Sequence, residues 1–366
     1  MRAVIAGGGT GGHLYPGITL AREILRRDPE GAILFVGTEG GLETRILPKE
    51  GFDLETIPVS GLKGKRKGEQ LRAFLQLPFA LLRSLSILRS FRPDVVVGVG
   101  GYASGPLAFG GFLSGRRIVL QEQNSVPGLT NRLLGWIADR VYTAYDEAAE
   151  SFPKRKVRKL GNPIRSLQWE GDSGSARTFF GLDPELPLVL VIGGSRGAHA
   201  VNTAVMEMVR KMKGNDPEIQ FLHQTGDADA EAAGQAYREA GVRAVVKAYL
   251  YEMAPAYQAA DLAISRAGAI ALSELCAAGL PAVLIPFPYA ADDHQFKNAR
   301  VLEEAGAARL IAEEELAPER LSAEVRELLG NREVLARMSN AARQCARPAA
   351  AKDLVDDLER MMAEER

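Results

Sequence analysis

Ala6-Gly7-Gly8-Gly9-Thr10-Gly11-Gly12-His13 is the stretch whose reading decides the fold. An apolar run, Ala3-Val4-Ile5-Ala6, leads into it, and an amphipathic run from Pro16 to Arg27 follows. That order predicts a strand, a glycine loop and a helix. Glycine lets backbone N–H groups come close to a ligand because no Cβ stands in the way. A helix N-terminus adds partial positive charge, so the place suits a phosphate. Loop geometry does not require His13. An imidazole beside an anion site can take or give a proton near neutral pH.

The same unit recurs. Asp94 to Val99 reads as a buried strand and opens into a second glycine loop over residues 98–105. Ile118-Val119-Leu120 is a strand running into Gln121-Glu122-Gln123-Asn124, and Val141 and Tyr142 belong to the last strand of this half. The rhythm breaks over residues 151–162, which are basic, and again over the small, polar residues 171–176. The domain boundary is therefore expected near Pro163. The pattern restarts at Leu188-Val189-Leu190-Val191-Ile192, followed by a third loop, Gly193-Gly194-Ser195-Arg196-Gly197. Further strands are expected at residues 219–223, 244–247, 262–264 and 282–285, and helix from Pro318 to the end, interrupted near Pro348. Strands alternating with helices predict parallel sheets covered on both faces. The fold class is α/β, with two Rossmann-like doubly wound domains facing a cleft, where the carboxyl ends of the strands bind ligands.

Composition narrows the function classes. The chain has 366 residues and a net charge of −1, so nothing global points to nucleic acid. Its two cysteines, Cys276 and Cys345, show no metal-ligand spacing, which speaks against a zinc site or a disulfide framework and fits a reducing cytoplasm. The first residues run straight into a strand, so no signal peptide is expected. No uncharged apolar run approaches the ~20 residues that span a bilayer.

Gly7, Gly9 and Gly12 satisfy the dinucleotide spacing G-x-G-x-x-G, with Glu39 a loose match for its acidic partner. An NAD(P)-dependent oxidoreductase is thus one reading. Residues 261–295 carry more information. Ser265-Arg266-Ala267-Gly268 follows a strand and opens a helix, so its N–H groups can meet a phosphate. Glu274 lies about one and a half turns into that helix, and a carboxylate suits the paired hydroxyls of a ribose. Gln295 is placed to hydrogen-bond sugar hydroxyls. Asp227-Ala228-Asp229 looks like a metal-binding motif but reads better as a helix start, where acids are favoured. Between Gly61 and Arg92, Lys63, Lys65, Arg66, Lys67, Arg72, Arg83, Arg89 and Arg92 oppose only Glu69. Leu71, Phe74, Leu75, Leu77, Phe79, Leu82 and Leu85 are interleaved with them. This suits either a helix on an anionic bilayer surface or a solvated basic face on a core helix.

Together, Gly8-Gly9-Thr10-Gly11-Gly12-His13, Gly100-Gly101-Tyr102-Ala103-Ser104-Gly105-Pro106, Glu122-Gln123-Asn124, Gly161-Asn162-Pro163-Ile164-Arg165, Gly193-Gly194-Ser195-Arg196-Gly197-Ala198 and Arg266-Ala267-Gly268 with Ser273-Glu274 resemble the MurG family of glycosyltransferases. The resemblance covers essentially the whole chain. It implies the GT-B architecture, with an acceptor and membrane-facing domain over 1–162 and a UDP-GlcNAc domain over 163–345. It also implies that a C-terminal helix within 346–366 packs back on the first domain. The implied reaction moves GlcNAc from UDP-GlcNAc to the C4 hydroxyl of MurNAc in undecaprenyl-pyrophosphoryl-MurNAc-pentapeptide, a step of peptidoglycan synthesis. The implied location is peripheral, on the cytoplasmic face of the membrane.

Carried over by position, the resemblance implies that Thr10, Gly11, Gly12 and Asn124 approach the donor sugar and its phosphates. Arg165 and Ser195 would hold the nucleotide, and Leu250 would offer its backbone to uracil. Ala269, Ile270, Ala271, Leu272, Ser273 and Glu274 would line the nucleotide site, with Glu274 on the ribose and Gln295 on GlcNAc. Two positions depart from the family's usual pattern: Arg196 stands where Gln is common, and Phe112 near a common Trp, which implies shallower membrane insertion. An α-linked donor and a β(1→4) product imply one in-line displacement with inversion, calling for no metal and no cofactor. His13 is the first candidate for the general base and Glu122 the second. Gly9, Gly100, Gly101 and Tyr102 are then left to hold the acceptor's pyrophosphate.

Overall fold

A computed structural model of the chain describes residues 1–9, 11–59, 67–194, 197–212 and 218–364, with the backbone alone for 67–74. Thr10, Lys63, Lys65, Arg66, Ser195 and Arg196 lie outside the described residues, as do the side chains of Lys67, Leu71, Arg72 and Phe74. The chain divides into two units, Met1–Arg165 with Arg347–Arg366, and Ser166–Ala346.

Unit one opens with β1 (Arg2–Ala6), α1 (Gly11–Arg27), β2 (Ala32–Gly37), α2 (Glu43–Glu50) and β3 (Asp53–Thr56). It continues with α3 (Lys67–Phe91), β4 (Val95–Gly98), α4 (Ser104–Leu113) and β5 (Arg117–Glu122). Then come α5 (Leu129–Leu134), β6 (Arg140–Thr143), α6 (Asp146–Ala149) and β7 (Val157–Lys159). The strands lie parallel in the order β3-β2-β1-β4-β5-β6-β7. Val95, Val96 and Val97 are fully buried, as β-branched residues of a strand covered on both faces should be. Strand order reverses between β1 and β4, where Ala6 stands opposite Gly98. The first two glycine loops therefore leave the sheet side by side, although about ninety residues separate them in sequence.

Two sequence expectations are corrected here. Helix α1 begins at Gly11, not at Pro16. Glycine's weak helix propensity and the absence of an amphipathic period before Pro16 hide the earlier start. Gly11, Gly12 and His13 thus lie in the first helical turn, whose N–H groups have no acceptor within the helix. A seventh strand also lies beyond Val141 and Tyr142. Val157-Arg158-Lys159 pairs with β6 at the sheet edge, and three residues, two of them basic, leave no apolar pattern to read.

Unit two comprises α7 (Ser173–Phe179), β8 (Leu188–Ile192), α8 (His199–Arg210), β9 (Gln220–Gln224), α9 (Ala230–Ala240) and β10 (Ala244–Lys247). It goes on through α10 (Met253–Ala259), β11 (Leu262–Ser265), α11 (Ala269–Ala278), β12 (Ala282–Leu284) and α12 (His294–Glu304). It ends with β13 (Ala308–Leu310), α13 (Pro318–Gly330) and α14 (Arg332–Cys345). The parallel order is β10-β9-β8-β11-β12-β13, reversing between β8 and β11, where Ile192 stands opposite Ser265. Residues 171–176 are not simply a polar linker. Asp172 accepts the Ser175 N–H at 2.8 Å and so caps α7. Strand β13 was not foreseen. The helical tail is broken at Asn331, whose side chain accepts the Val334 N–H at 3.1 Å to start α14. Neither Cys276 nor Cys345 is in a disulfide.

Helix α15 (Ala350–Ala363) belongs to unit one. Leu354, Val355, Leu358 and Met361 are buried in one cluster with Ile5, Leu20 and Ile24. Each such side chain contributes roughly 1.5–3 kcal/mol, so α15 is part of the core. Arg27 of α1 fixes its register, donating to Asp356 at 2.6 Å, Glu359 at 3.0 Å and the Lys352 carbonyl at 2.9 Å. The Tyr142 hydroxyl donates to the buried Asp357 at 3.1 Å.

Candidate active site

The loop after β1 is held from beneath by Glu43, in the first turn of α2. The Glu43 carboxylate is sealed from solvent. It accepts N–H groups from Gly9 and Thr38, each at 2.8 Å, and the Thr38 hydroxyl at 2.9 Å. The N–H of Gly9 is therefore turned inward, which corrects the expectation that it faces a pyrophosphate. Among the described residues, Gly11 and Gly12 bring first-turn N–H groups of α1 to this loop, and a helix's first turn is where an anion can be met.

The second loop packs directly on the first. A Cβ on Gly101 would lie 2.7 Å from the Gly8 carbonyl oxygen. A Cβ on Gly100 would lie 2.6 Å from His13 Cδ2 and 2.9 Å from Nε2. Both glycines are left-handed, with φ of 93° and 82°. The imidazole of His13 thus rests against bare backbone. Beneath it, Ser104 Oγ lies 2.8 Å from the carbonyl oxygens of both Ala6 and Gly100, and Gln123 donates to the Val99 carbonyl at 2.8 Å. Tyr102 stands half-exposed at the rim.

Glu122 ends β5 and is buried. Oε1 accepts from the Asn124 N–H at 3.1 Å and its side-chain amide at 3.4 Å. Oε2 accepts from Asn131 at 2.9 Å and the Gly128 N–H at 3.3 Å. Burial pushes its pKa up, against these donors. Both oxygens are engaged in folding residues 123–131 back over the strand end. Asn162 donates to the Gln123 carbonyl at 3.1 Å, and Gln121 donates to Asn162 at 3.1 Å. Arg165 falls in unit one, its guanidinium 4.1 Å over the ring of Tyr15 on α1.

In unit two, the third glycine loop is tied to its neighbours by Gln224. That side chain donates to the Gly194 carbonyl at 2.7 Å and accepts the Leu250 N–H at 3.3 Å. Leu250's N–H is thus engaged, leaving its carbonyl as the backbone group for a base. Helix α11 starts after Gly268 with no side-chain cap, and a Cβ on Gly268 would meet nothing within 4 Å among the described residues. Its first-turn donors lie open to an anion. Glu274 is buried, and the Tyr257 hydroxyl donates to its Oε2 at 2.9 Å. Arg266 is a brace. It donates to the carbonyls of Ile285 at 3.1 Å and Pro286 at 3.0 Å and pairs with Glu313. Gln295, in the first turn of α12, accepts the Phe287 N–H at 3.1 Å through Oε1. Just before it, Asp292 and Asp293 hold left-handed φ values of 54° and 56°, a strain that non-glycine residues keep only where the surroundings impose it. Asp229 is the N-cap residue of α9, and its carboxylate reaches Asn202 at 2.7 Å and His199 at 3.0 Å. Among the described residues no cluster of His, Cys, Asp or Glu is arranged to hold a metal.

Sequence reading missed Glu43, Gln224 and Tyr257, and gave Gln123 no role beyond its place in a motif. Each acts on the backbone or side chain of a neighbouring element, and no spacing within the chain signals such a partner. Glu39, taken as the loose acidic match, is exposed, while Glu43 four residues on is the acid that reaches the loop.

The chain matches the glycosyltransferase family 28 N-terminal domain over residues 3–143 and the family 28 C-terminal domain over residues 188–356. It is 46% identical over 360 residues to the UDP-N-acetylglucosamine--N-acetylmuramyl-(pentapeptide) pyrophosphoryl-undecaprenol N-acetylglucosamine transferase of Anaeromyxobacter sp. (strain Fw109-5), covering 97% of this chain and 92% of that one. The Acinetobacter baumannii MurG crystal structure superposes with a TM-score of 0.76 at 27% identity, over 98% of this chain and 99% of that one. The chain belongs to the MurG family. A second relative, the transferase of the same name from Thermodesulfovibrio yellowstonii, is 41% identical over the full length of both chains. The two parallel α/β units are the GT-B fold of MurG. That fold reaches beyond the family: the UDP-GlcNAc 2-epimerase of Neisseria meningitidis superposes with a TM-score of 0.67 at 12% identity, over 98% of this chain and all of that one.

Proposed function

We propose that the protein is an inverting glycosyltransferase of peptidoglycan synthesis. It moves GlcNAc from UDP-GlcNAc to the C4 hydroxyl of MurNAc in undecaprenyl-pyrophosphoryl-MurNAc-pentapeptide. The observation that carries the chemistry is the His13 imidazole, held against Gly100 at the strand-order reversal of unit one, in the first turn of α1. Such a ring can accept the proton of the C4 hydroxyl as that oxygen attacks the anomeric carbon and the bond to the β-phosphate oxygen breaks. General-base help of this kind is worth ~10²–10⁴ in rate. Glu122 is the weaker candidate, because all its acceptor sites serve its own loop.

Unit two would hold the donor. The open first turn of α11 and Ser195 would meet the diphosphate, whose charge grows as UDP leaves. Ala269 to Ser273 would line the nucleotide, Glu274 would bind the ribose, and the Leu250 carbonyl would accept N3–H of uracil. Gln295, with Oε1 taken by Phe287, would offer its amide N–H groups to GlcNAc. Asn124 and Arg165 would contribute from unit one, where Gly100, Gly101 and Tyr102 with the first turn of α1 would hold the acceptor's pyrophosphate.

Contact with an anionic membrane, at its cytoplasmic face, belongs to the same proposal. Leu75, Phe79 and Leu82 form an exposed stripe on α3, and Phe109, Phe112 and Leu113 are exposed on α4, while Ala80, Ser84, Ile87 and Leu88 are buried. No helix among the described residues is long and apolar enough to cross a bilayer. Arg83 is partly neutralised by Glu55 at 2.7 Å.

The decisive assay is transfer of labelled GlcNAc from UDP-GlcNAc to the lipid acceptor, with equimolar UDP released. Saturable binding without UDP release would instead identify a sensor, and conversion of the donor to its manno epimer an isomerase.

A further inference from the structure

We propose that Glu43 is a positioning residue for the transfer reaction, setting the two acceptor-side glycine loops and, through them, the place of His13. The inference rests on the proposed function above. Glu43 is completely buried, and the donors to its carboxylate among the described residues are all neutral: the Gly9 N–H, the Thr38 N–H and the Thr38 hydroxyl. An ionised carboxylate is costly to bury, and these donors offset that cost.

The space for it is made by missing side chains in three separate segments. A Cβ on Gly8 would lie 2.3 Å from its Cδ, one on Gly37 2.5 Å from its Cγ, and one on Gly41 2.1 Å from both oxygens. The first loop, the end of β2 and the approach to α2 all close on a single carboxylate. An apolar residue would fill that space, but it would leave the Gly9 and Thr38 N–H groups without acceptors. Glutamine would turn an NH₂ toward one of them. A carboxylate alone accepts on both sides.

The grip falls where it matters for the reaction. Gly9, at φ 82°, is the last described residue before α1, and His13 stands in the first turn of that helix. Gly8, on the other side of the bond, has its carbonyl against Gly101 of the second loop. Fixing Gly9 therefore fixes both loops, and Glu43 acts through them without touching the reacting atoms. Displacing such a framework by about 1 Å can cost on the order of 10²-fold in rate.

The test compares wild type, Glu43→Gln and Thr38→Val in the GlcNAc-transfer assay, with UDP-GlcNAc binding measured directly by calorimetry. Glu43→Gln should lower kcat roughly 10- to 100-fold, while its UDP-GlcNAc dissociation constant and binding stoichiometry stay at wild-type values. Thr38→Val, which removes only the hydroxyl donor, should show a smaller fall of the same kind. A variant that merely unfolds would lose binding stoichiometry in step with activity. Should Glu43→Gln fail to fold, Thr38→Val and Gly41→Ala decide: reduced kcat with intact donor binding supports the assignment. Wild-type kcat in the folded variants overturns it. Absence of transfer by the wild-type protein would instead overturn the proposed function.

Discussion

The imidazole of His13 occupies the space that a side chain at Gly100 would need, with Cδ2 2.6 Å and Nε2 2.9 Å from the position of a Cβ there. A glycine in the second loop thus sets where the histidine of the first can stand. His13→Ala should lower kcat by ~10²–10⁴ with the UDP-GlcNAc KM little changed. Gly100→Ala should also lower kcat, through the displaced ring and the strained φ of 93°. Because both changes act on one group, the double variant should fall short of the sum of the two losses. Steady-state kinetics of the four proteins check this, and near-normal kcat in His13→Ala would remove it from the base role.

Glu274 and Tyr257 should move the other kinetic constant. The buried carboxylate is oriented by the Tyr257 hydroxyl at 2.9 Å. Glu274→Ala should raise the UDP-GlcNAc KM by about 10- to 100-fold, the worth of hydrogen bonds to a charged group. Tyr257→Phe keeps the carboxylate and should raise KM about fivefold, near 1 kcal/mol. UDP-GlcNAc titration of each variant is the measurement. An unaltered KM in Glu274→Ala would sink the ribose role.

These contrasts show what a sequence can carry. Leu188–Ile192 was legible because an unbroken β-branched and leucine run between turns has few other uses. The three glycine loops and Glu274 were legible by position. Their mutual contacts were not, because strand order alone brings Ala6 opposite Gly98. The edge strands β7 and β13, three residues each, bury too little to leave a period. Glu43 looked like any acid in a helix's first turn. The close approach of Gly8, Gly37 and Gly41 and the bonds from Gly9 and Thr38 set it apart.

The exposed stripe on α3 and its neighbours on α4 should bind bilayers. Phe79 is 66% exposed and Phe112 49%. Fully burying a phenylalanine is worth roughly 1.5–3 kcal/mol, so a partial loss at each should add to a large one. Phe79→Ser with Phe112→Ser should reduce sedimentation with anionic vesicles by about tenfold or more and leave UDP-GlcNAc binding intact. Raised salt should weaken the wild type further. Equal vesicle binding by the variant would leave the stripe as an ordinary solvated face.

Acid should destabilise the protein well above the carboxylate range because of His223. The ring is buried between the Tyr237 hydroxyl on Nδ1 and Asn202 Oδ1 on Nε2, each at 3.1 Å. Asn202 donates its amide to the Thr225 carbonyl at 2.8 Å and to Asp229 at 2.7 Å, so its oxygen faces the ring and Nε2 carries the proton. Burial lowers the pKa of His223 to about 3, the charge of Asp229 only partly opposing it. The unfolded chain takes up this proton as pH falls below about 6.5, whereas the native protein does not until about 3. The unfolded state therefore binds more protons within that window. The contribution is fully present above pH 6.5 and declines by about 1.4 kcal/mol per unit below it. Asp229, whose own pKa is lowered, adds a loss only at more acid pH. Denaturant midpoints from pH 8 to pH 4.5 should fall in the wild type, and a folded His223→Asn variant, although less stable at pH 8, should give a shallower slope. Parallel slopes in the two proteins would show that the buried imidazole does not carry the effect.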